Sequence, residues 1–240
     1  MKTLTITMFF TLCIFLSCQQ KIVTNHSLAI AVLLDNTDSL IEVPQSNSIT
    51  SLFEMQKDKE KEIIFRETVL SNLSINPSIQ LRLENGTNTD LNNASQDPLY
   101  REKLIFDFYK KINDTLKWFS NSFTKTKSLQ NSECFIGIAK ELVKLVELNT
   151  QKKILLIYSD LHENSDVYNV YKEGIQNKET IKTAFENTHL IPEDLKQCTV
   201  LFIFQPKNRT EDKIFNLMFN IYKELLESHG AQVLQLSNNP

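Results

Sequence analysis

Asp35, Thr37 and Ser39 place oxygen-bearing side chains at alternate positions where the apolar run of LAIAVLLDNTDSL, Leu28 to Leu40, gives way to polar residues. A second carboxylate, Asp160, follows another apolar run, KILLIYS from Lys153 to Ser159, and a hydroxyl, Ser132, stands just ahead of a helical pattern. Carboxylates and hydroxyls are hard donors, the ligand type that suits Mg²⁺, Mn²⁺ or Ca²⁺. Alternate side chains of an extended segment project to one side, so the first three can share an ion. Asp160 reaches the same rim if the two runs are parallel neighbours, because open α/β sheets bind ligands past the carboxyl ends of their strands. His162 and Glu163 follow closely enough to tune such an ion from behind its ligands. Plainer roles compete: Asp35 can close a turn, Thr37, Ser39 and Ser132 can cap helices, and residues 160–166 can form a solvated acidic loop in which His162 is merely exposed. His26, His162, His189 and His229 have no motif partner, so a nucleophile–base pair is not supported.

The elements that must hold these residues follow from periodicity. Leu28–Leu34 and Lys153–Ser159 are near-continuous apolar runs rich in β-branched residues, as expected of strands buried on both faces of a parallel sheet. Further strands are predicted at Ile79–Leu83, Val200–Phe204 and Ala231–Leu236, the last opened by Gly230 as a helix stop. Leu104, Ile105, Phe108, Ile112, Leu116 and Phe119 recur at three- and four-residue steps and predict an amphipathic helix over 101–123, its aromatic stripe serving the core. Glu133–Leu148 is a second helix with Ser132 as its expected cap, and helices are also predicted at 179–187, 214–228 and somewhere within 49–71. The polar segment 87–98 reads as loop, with room for a short edge strand. The order describes one doubly wound α/β domain with a mostly parallel central sheet flanked by helices, a Rossmann-type three-layer sandwich.

Set on these elements, the residues resemble the metal-ion-dependent adhesion site (MIDAS) of von Willebrand factor A (vWA) domains. That motif is Asp-x-Ser-x-Ser after the first strand, a Thr before a central helix and an Asp after the fourth strand. Asp35-Asn36-Thr37-Asp38-Ser39 supplies the first part with Thr in the first Ser position, Ser132 falls where the Thr belongs, and Asp160 takes the last place, with Leu161 where the family commonly has Gly. The resemblance covers residues 28 to about 237. It implies a divalent ion held by Asp35, Thr37, Ser39, Ser132 and Asp160, some through water, with one position open for a carboxylate from a partner protein. A degenerate, metal-free site would leave a structural lipoprotein. The enzyme alternative is a Mg²⁺-dependent phosphotransferase of the haloacid-dehalogenase type, with Asp35 attacking phosphate. That chemistry needs an acid two residues on, where Thr37 stands.

The remaining features bound location and partners. The chain of 240 residues carries a formal charge of −3 and no Lys/Arg cluster on a predicted face, which argues against nucleic acid as a partner. Lys2, the apolar Met8–Leu16 and Ser17 before Cys18 form a signal layout too short to span a bilayer. Phe15-Leu16-Ser17-Cys18 resembles a bacterial lipobox, although Phe15 replaces the usual Leu. The expected organisation is a signal peptide at 1–17, lipidated Cys18 with a tether over 18–27, and a single domain at 28–240. The resemblance implies anchoring to a membrane of the cell envelope without spanning it. Cys134 and Cys198 remain in the domain and read as buried thiols rather than a pair.

Overall fold

A computed structural model describes residues 27–37, 40, 42–71, 76–85, 98–123, 132–175 and 177–240. The expected signal segment, Cys18 and all but the last residue of the expected tether lie outside them; Ser27 begins the first strand. Among the described residues twelve elements follow in order: β1 (Ser27–Asp35), α1 (Ser46–Ser51), β2 (Glu62–Leu70), β3 (Ser78–Leu83), α2 (Pro98–Phe123), α3 (Cys134–Glu147), β4 (Lys152–Tyr158), α4 (Val170–Glu173), α5 (Lys178–Glu186), β5 (Cys198–Ile203), α6 (Arg209–Ser228) and β6 (Gln232–Leu236). One six-stranded sheet runs β3-β2-β1-β4-β5-β6. It is parallel throughout except for β3, which pairs antiparallel to β2 at one edge.

Period-two alternation along β1 divides the interior into two cores. Leu28, Ile30, Val32 and Leu34 face α1 and α2, where Phe108, Ile112, Leu116 and Phe119 close the layer. Ala29, Ala31 and Leu33 face α3, α5 and α6 on the other side. The small residues there admit α3 closely, and a Cβ at Gly137 would meet the Leu70 side chain at 2.3 Å. A side chain at that position would force the Leu70 tip to move, so the glycine lets the first turns of α3 sit close to the carboxyl end of β2.

One expectation is corrected and another lies almost wholly outside the described residues. The helix sought within 49–71 is only the short α1, which begins earlier, and the later part of the segment is strand: residues 62–70 form β2 beside β1. The centre of β2 is polar, Arg66-Glu67-Thr68, which conceals an otherwise apolar strand. The edge strand allowed for in 87–98 falls almost wholly outside the described residues; the sheet's antiparallel edge is β3.

Candidate metal centre

β1 and β4 are parallel neighbours with Leu34 opposite Tyr158, so Asp35 and Ser159 emerge side by side at the carboxyl rim. Ser159 Oγ donates to Asp35 Oδ2 at 2.7 Å. Asp35 Oδ1 accepts from the Thr37 backbone N–H at 3.0 Å and from Thr37 Oγ1 at 2.6 Å, an Asx-type turn that takes the chain off the strand. Because the Thr37 hydroxyl proton lies on Asp35, its lone pairs remain for another partner. Asp35 and Thr37 are both buried. Ser39 lies outside the described residues. Beyond it, Asn239 pins the returning loop: Oδ1 accepts from Tyr158 Oη at 2.6 Å, and Nδ2 donates to the Val43 carbonyl at 3.1 Å.

Ser159 was not singled out in the sequence, yet it joins the pieces. Its oxygen accepts the Leu161 N–H at 2.9 Å and lies 3.4 Å from Cys134 Sγ. With the Ser159 proton committed to Asp35, the thiol is the donor in that last contact. Burial pushes the Cys134 pKa well up, and the charges of Asp35, Glu163 and Asp160 add to it, so the proton stays on sulfur. A signal for Ser159 existed: in parallel register it is the residue beside Asp35.

Asp160 turns the next loop as Asp35 turns the first. Its Oδ1 accepts the His162 N–H at 3.0 Å, and His162 Nδ1 approaches its Oδ2 at 3.3 Å. His162 is mostly buried and also lies 3.2 Å from Tyr171 Oη, so the exposed loop histidine is not what the fold contains. Leu161 is fully buried at φ +59°, the left-handed region that glycine adopts without strain and that costs a leucine about 1–2 kcal/mol. The backbone here thus has the conformation a glycine would favour, and the leucine offsets its cost by entering the core beside α3.

Ser132 does not cap α3, a second correction of the local reading. The cap position is Glu133, whose side chain makes no capping bond. The helix is capped from a distance instead: Phe135 N–H donates to Glu163 Oε2 at 2.7 Å, across 28 residues of sequence. Ser132 pairs through its backbone with Asn164, at 3.2 Å and 2.9 Å for the two N–H···O bonds. Its Oγ is buried with no hydrogen-bond partner among the described residues. Burial pushes the Glu163 carboxyl up to about 7, against the pull of the Ser165 hydroxyl and the Phe135 amide. Cys134 and Cys198 are buried free thiols.

Asp35 with Thr37 past β1, Asp160 past β4 and Ser132 ahead of α3 thus lie on segments joined by the Ser159–Asp35, Cys134–Ser159 and Ser132–Asn164 contacts, with Glu163 bonded to the start of α3. Two carboxylates and hydroxyls are hard donors, and a buried orphan hydroxyl is the kind of atom an ion would satisfy. Among the described residues no three His, Cys, Asp or Glu side chains form a metal-holding group. The set thus depends on its hydroxyls.

No family model matches the chain, and no curated protein matches it by sequence. Among solved structures the fold is similar to a mutant of the PilB minor pilin from Streptococcus sanguinis, with a TM-score of 0.52 at 10% identity over 91% of this chain. The match spans 59% of that pilin chain. The likeness is one of fold: mixed α/β, with a mostly parallel six-stranded sheet flanked by helices.

Proposed function

We propose that this chain is a lipoprotein of the bacterial cell envelope, anchored through Cys18, whose doubly wound vWA-like domain binds a partner protein through a divalent ion. Asp35, Thr37, Ser39, Ser132 and Asp160 would hold Mg²⁺ or Mn²⁺, with Ca²⁺ the alternative, and one position would take a carboxylate from the partner. When bound, the ion supplies a hard Lewis-acidic point for that carboxylate. Asp35 supplies charge and fixes the Thr37 hydroxyl, and Asp160 supplies charge from the neighbouring strand. The observation that carries the reading is Ser132 Oγ, buried and unpartnered where the resemblance calls for a hydroxyl ligand.

A second reading, a metal-free site, is favoured by a different observation: both Asp35 oxygens already accept hydrogen bonds from Thr37 and Ser159. Melting the full chain in detergent, with EDTA or with Mg²⁺ or Mn²⁺, separates the two. An ion that binds only the folded state stabilises it by about 2.7 kcal/mol at 100 times its Kd, several degrees in Tm. The metal reading expects that shift in the wild type and its loss in Asp35→Ala. A wild-type Tm unmoved by either ion overturns it and leaves the metal-free site.

A further inference from the structure

We infer that Glu163 is a positioning residue for the ion, acting through Ser132; the inference rests on the metal reading above. Within the segment that carries Ser132, Glu133 makes no side-chain capping bond and the buried Ser132 hydroxyl has no hydrogen-bond partner among the described residues, so its position is set from other elements. Consecutive residues of the loop that begins at Asp160 grip that segment. Asn164 pairs with the Ser132 backbone in both directions, and Glu163, fully buried, takes the Phe135 N–H at the open end of α3. A carboxyl at a helix N-terminus is favoured by the helix dipole as well as by the hydrogen bond. The loop itself is held, because Val170 N–H donates to the Glu163 carbonyl at 3.0 Å. Asp160 and Ser132 stand 28 residues apart in sequence, and the Glu163 bond to the Phe135 amide, beside the Cys134–Ser159 contact, sets one segment against the other. The role depends on reach: the carboxyl must span to the Phe135 amide.

Two conservative substitutions separate reach from charge. Glu163→Asp keeps the charge and is one methylene too short; Glu163→Gln keeps an acceptor at full length and drops the charge. Mn²⁺ alone is the probe, with free ion counted by electron paramagnetic resonance at 20 °C on the full chain in detergent and the metal-free Tm recorded for each variant. Groups that orient metal ligands typically contribute 10- to 100-fold in affinity. Glu163→Asp is therefore expected to weaken the Mn²⁺ Kd by about ten-fold or more, while Glu163→Gln stays near the wild type. In a Ser132→Ala background Glu163→Asp should add nothing further, since coupled residues are non-additive. Full additivity, or equal affinity of Glu163→Asp and wild type, overturns the inference while the metal reading stands. A wild type that binds no Mn²⁺ removes both. A measurement on the wild type covers the case in which Glu163→Asp does not fold: Mg²⁺ should slow hydrogen exchange at the Phe135 amide, and should fail to do so in Ser132→Ala. An unchanged Phe135 amide in a wild type that binds Mg²⁺ also overturns the inference.

Discussion

Two buried glutamates meet opposite faces of β2 and have opposite surroundings. Glu141, on α3, is 1% exposed and accepts from Thr68 Oγ1 at 2.9 Å, Lys144 Nζ at 2.7 Å and Arg66 Nε at 3.3 Å. Glu67, between Arg66 and Thr68 in sequence, points to the other face and is also 1% exposed, and neither oxygen has a hydrogen-bond partner among the described residues. Its register neighbours are Val32 and Ile79, with Phe65 and Val69 along the strand, all in the apolar layer under α2. Burial alone pushes its carboxyl up to about 8, so it is largely protonated at neutral pH. Depth is the same in both cases. The difference lies in whether the fold supplies donors, which is why β2 spends Arg66 and Thr68 on one face and nothing on the other.

Arg66→Met breaks the compensated side most severely. Removing one partner of a buried pair strands the other charge, and such losses run to about 3–5 kcal/mol. Thr68 and Lys144 remain on Glu141, so the expected loss is about 3 kcal/mol, read from urea unfolding at pH 7. A loss under 1 kcal/mol would mean that the two donors left are sufficient and that the Arg66 pair contributes little.

Glu67→Leu sharpens the other side and should stabilise. The folded carboxyl holds its proton to about pH 8 while the unfolded one releases it near 4.5, so between those values the native state binds more protons. Stability therefore falls as pH rises through that window, by up to about 1.4 kcal/mol per pH unit for one group. The leucine variant should gain about 2–3 kcal/mol at pH 7 and much less at pH 5, flattening the wild-type profile. Glu163, raised to about 7, adds a second contribution of the same sign that ends about a unit lower, so some slope survives. Denaturant midpoints from pH 5 to pH 8 test this. A wild-type profile that rises with pH would contradict the orphaned carboxyl.

That contrast also explains what could be read in advance. Strands with one uninterrupted apolar run, β1, β4 and β5, are legible because both faces are buried, and α2, α3 and α6 are legible because one stripe repeats at helical spacing. β2 escapes because polar residues occupy both of its faces at the centre, so neither alternation nor a continuous run survives Arg66-Glu67-Thr68. At the candidate site, Asp35 and Asp160 are legible as acids at strand ends. Ser159 depends on sheet register, and the Glu163 cap of α3 depends on a contact 28 residues away, which no local capping pattern carries.

Thr68→Val probes the same comparison most finely, since it removes a single neutral donor from Glu141 and preserves shape and burial. The hydroxyl is buried and its bond to Glu141 Oε1 is 2.9 Å, so its loss takes one hydrogen bond to a carboxyl and leaves Lys144 on the same oxygen. A bond of this kind is worth about 1–2 kcal/mol, and the added methyl group returns part of it through apolar contact. The expected loss is about 1 kcal/mol at pH 7, seen as a lower urea midpoint at unchanged slope. Made in the Arg66→Met background, the same change should cost more than it does alone, because Glu141 would then keep only Lys144, half exposed to solvent. Equal costs in the two backgrounds would mean that the donors act on Glu141 independently, and the compensated face of β2 would be a sum of separate bonds rather than one network.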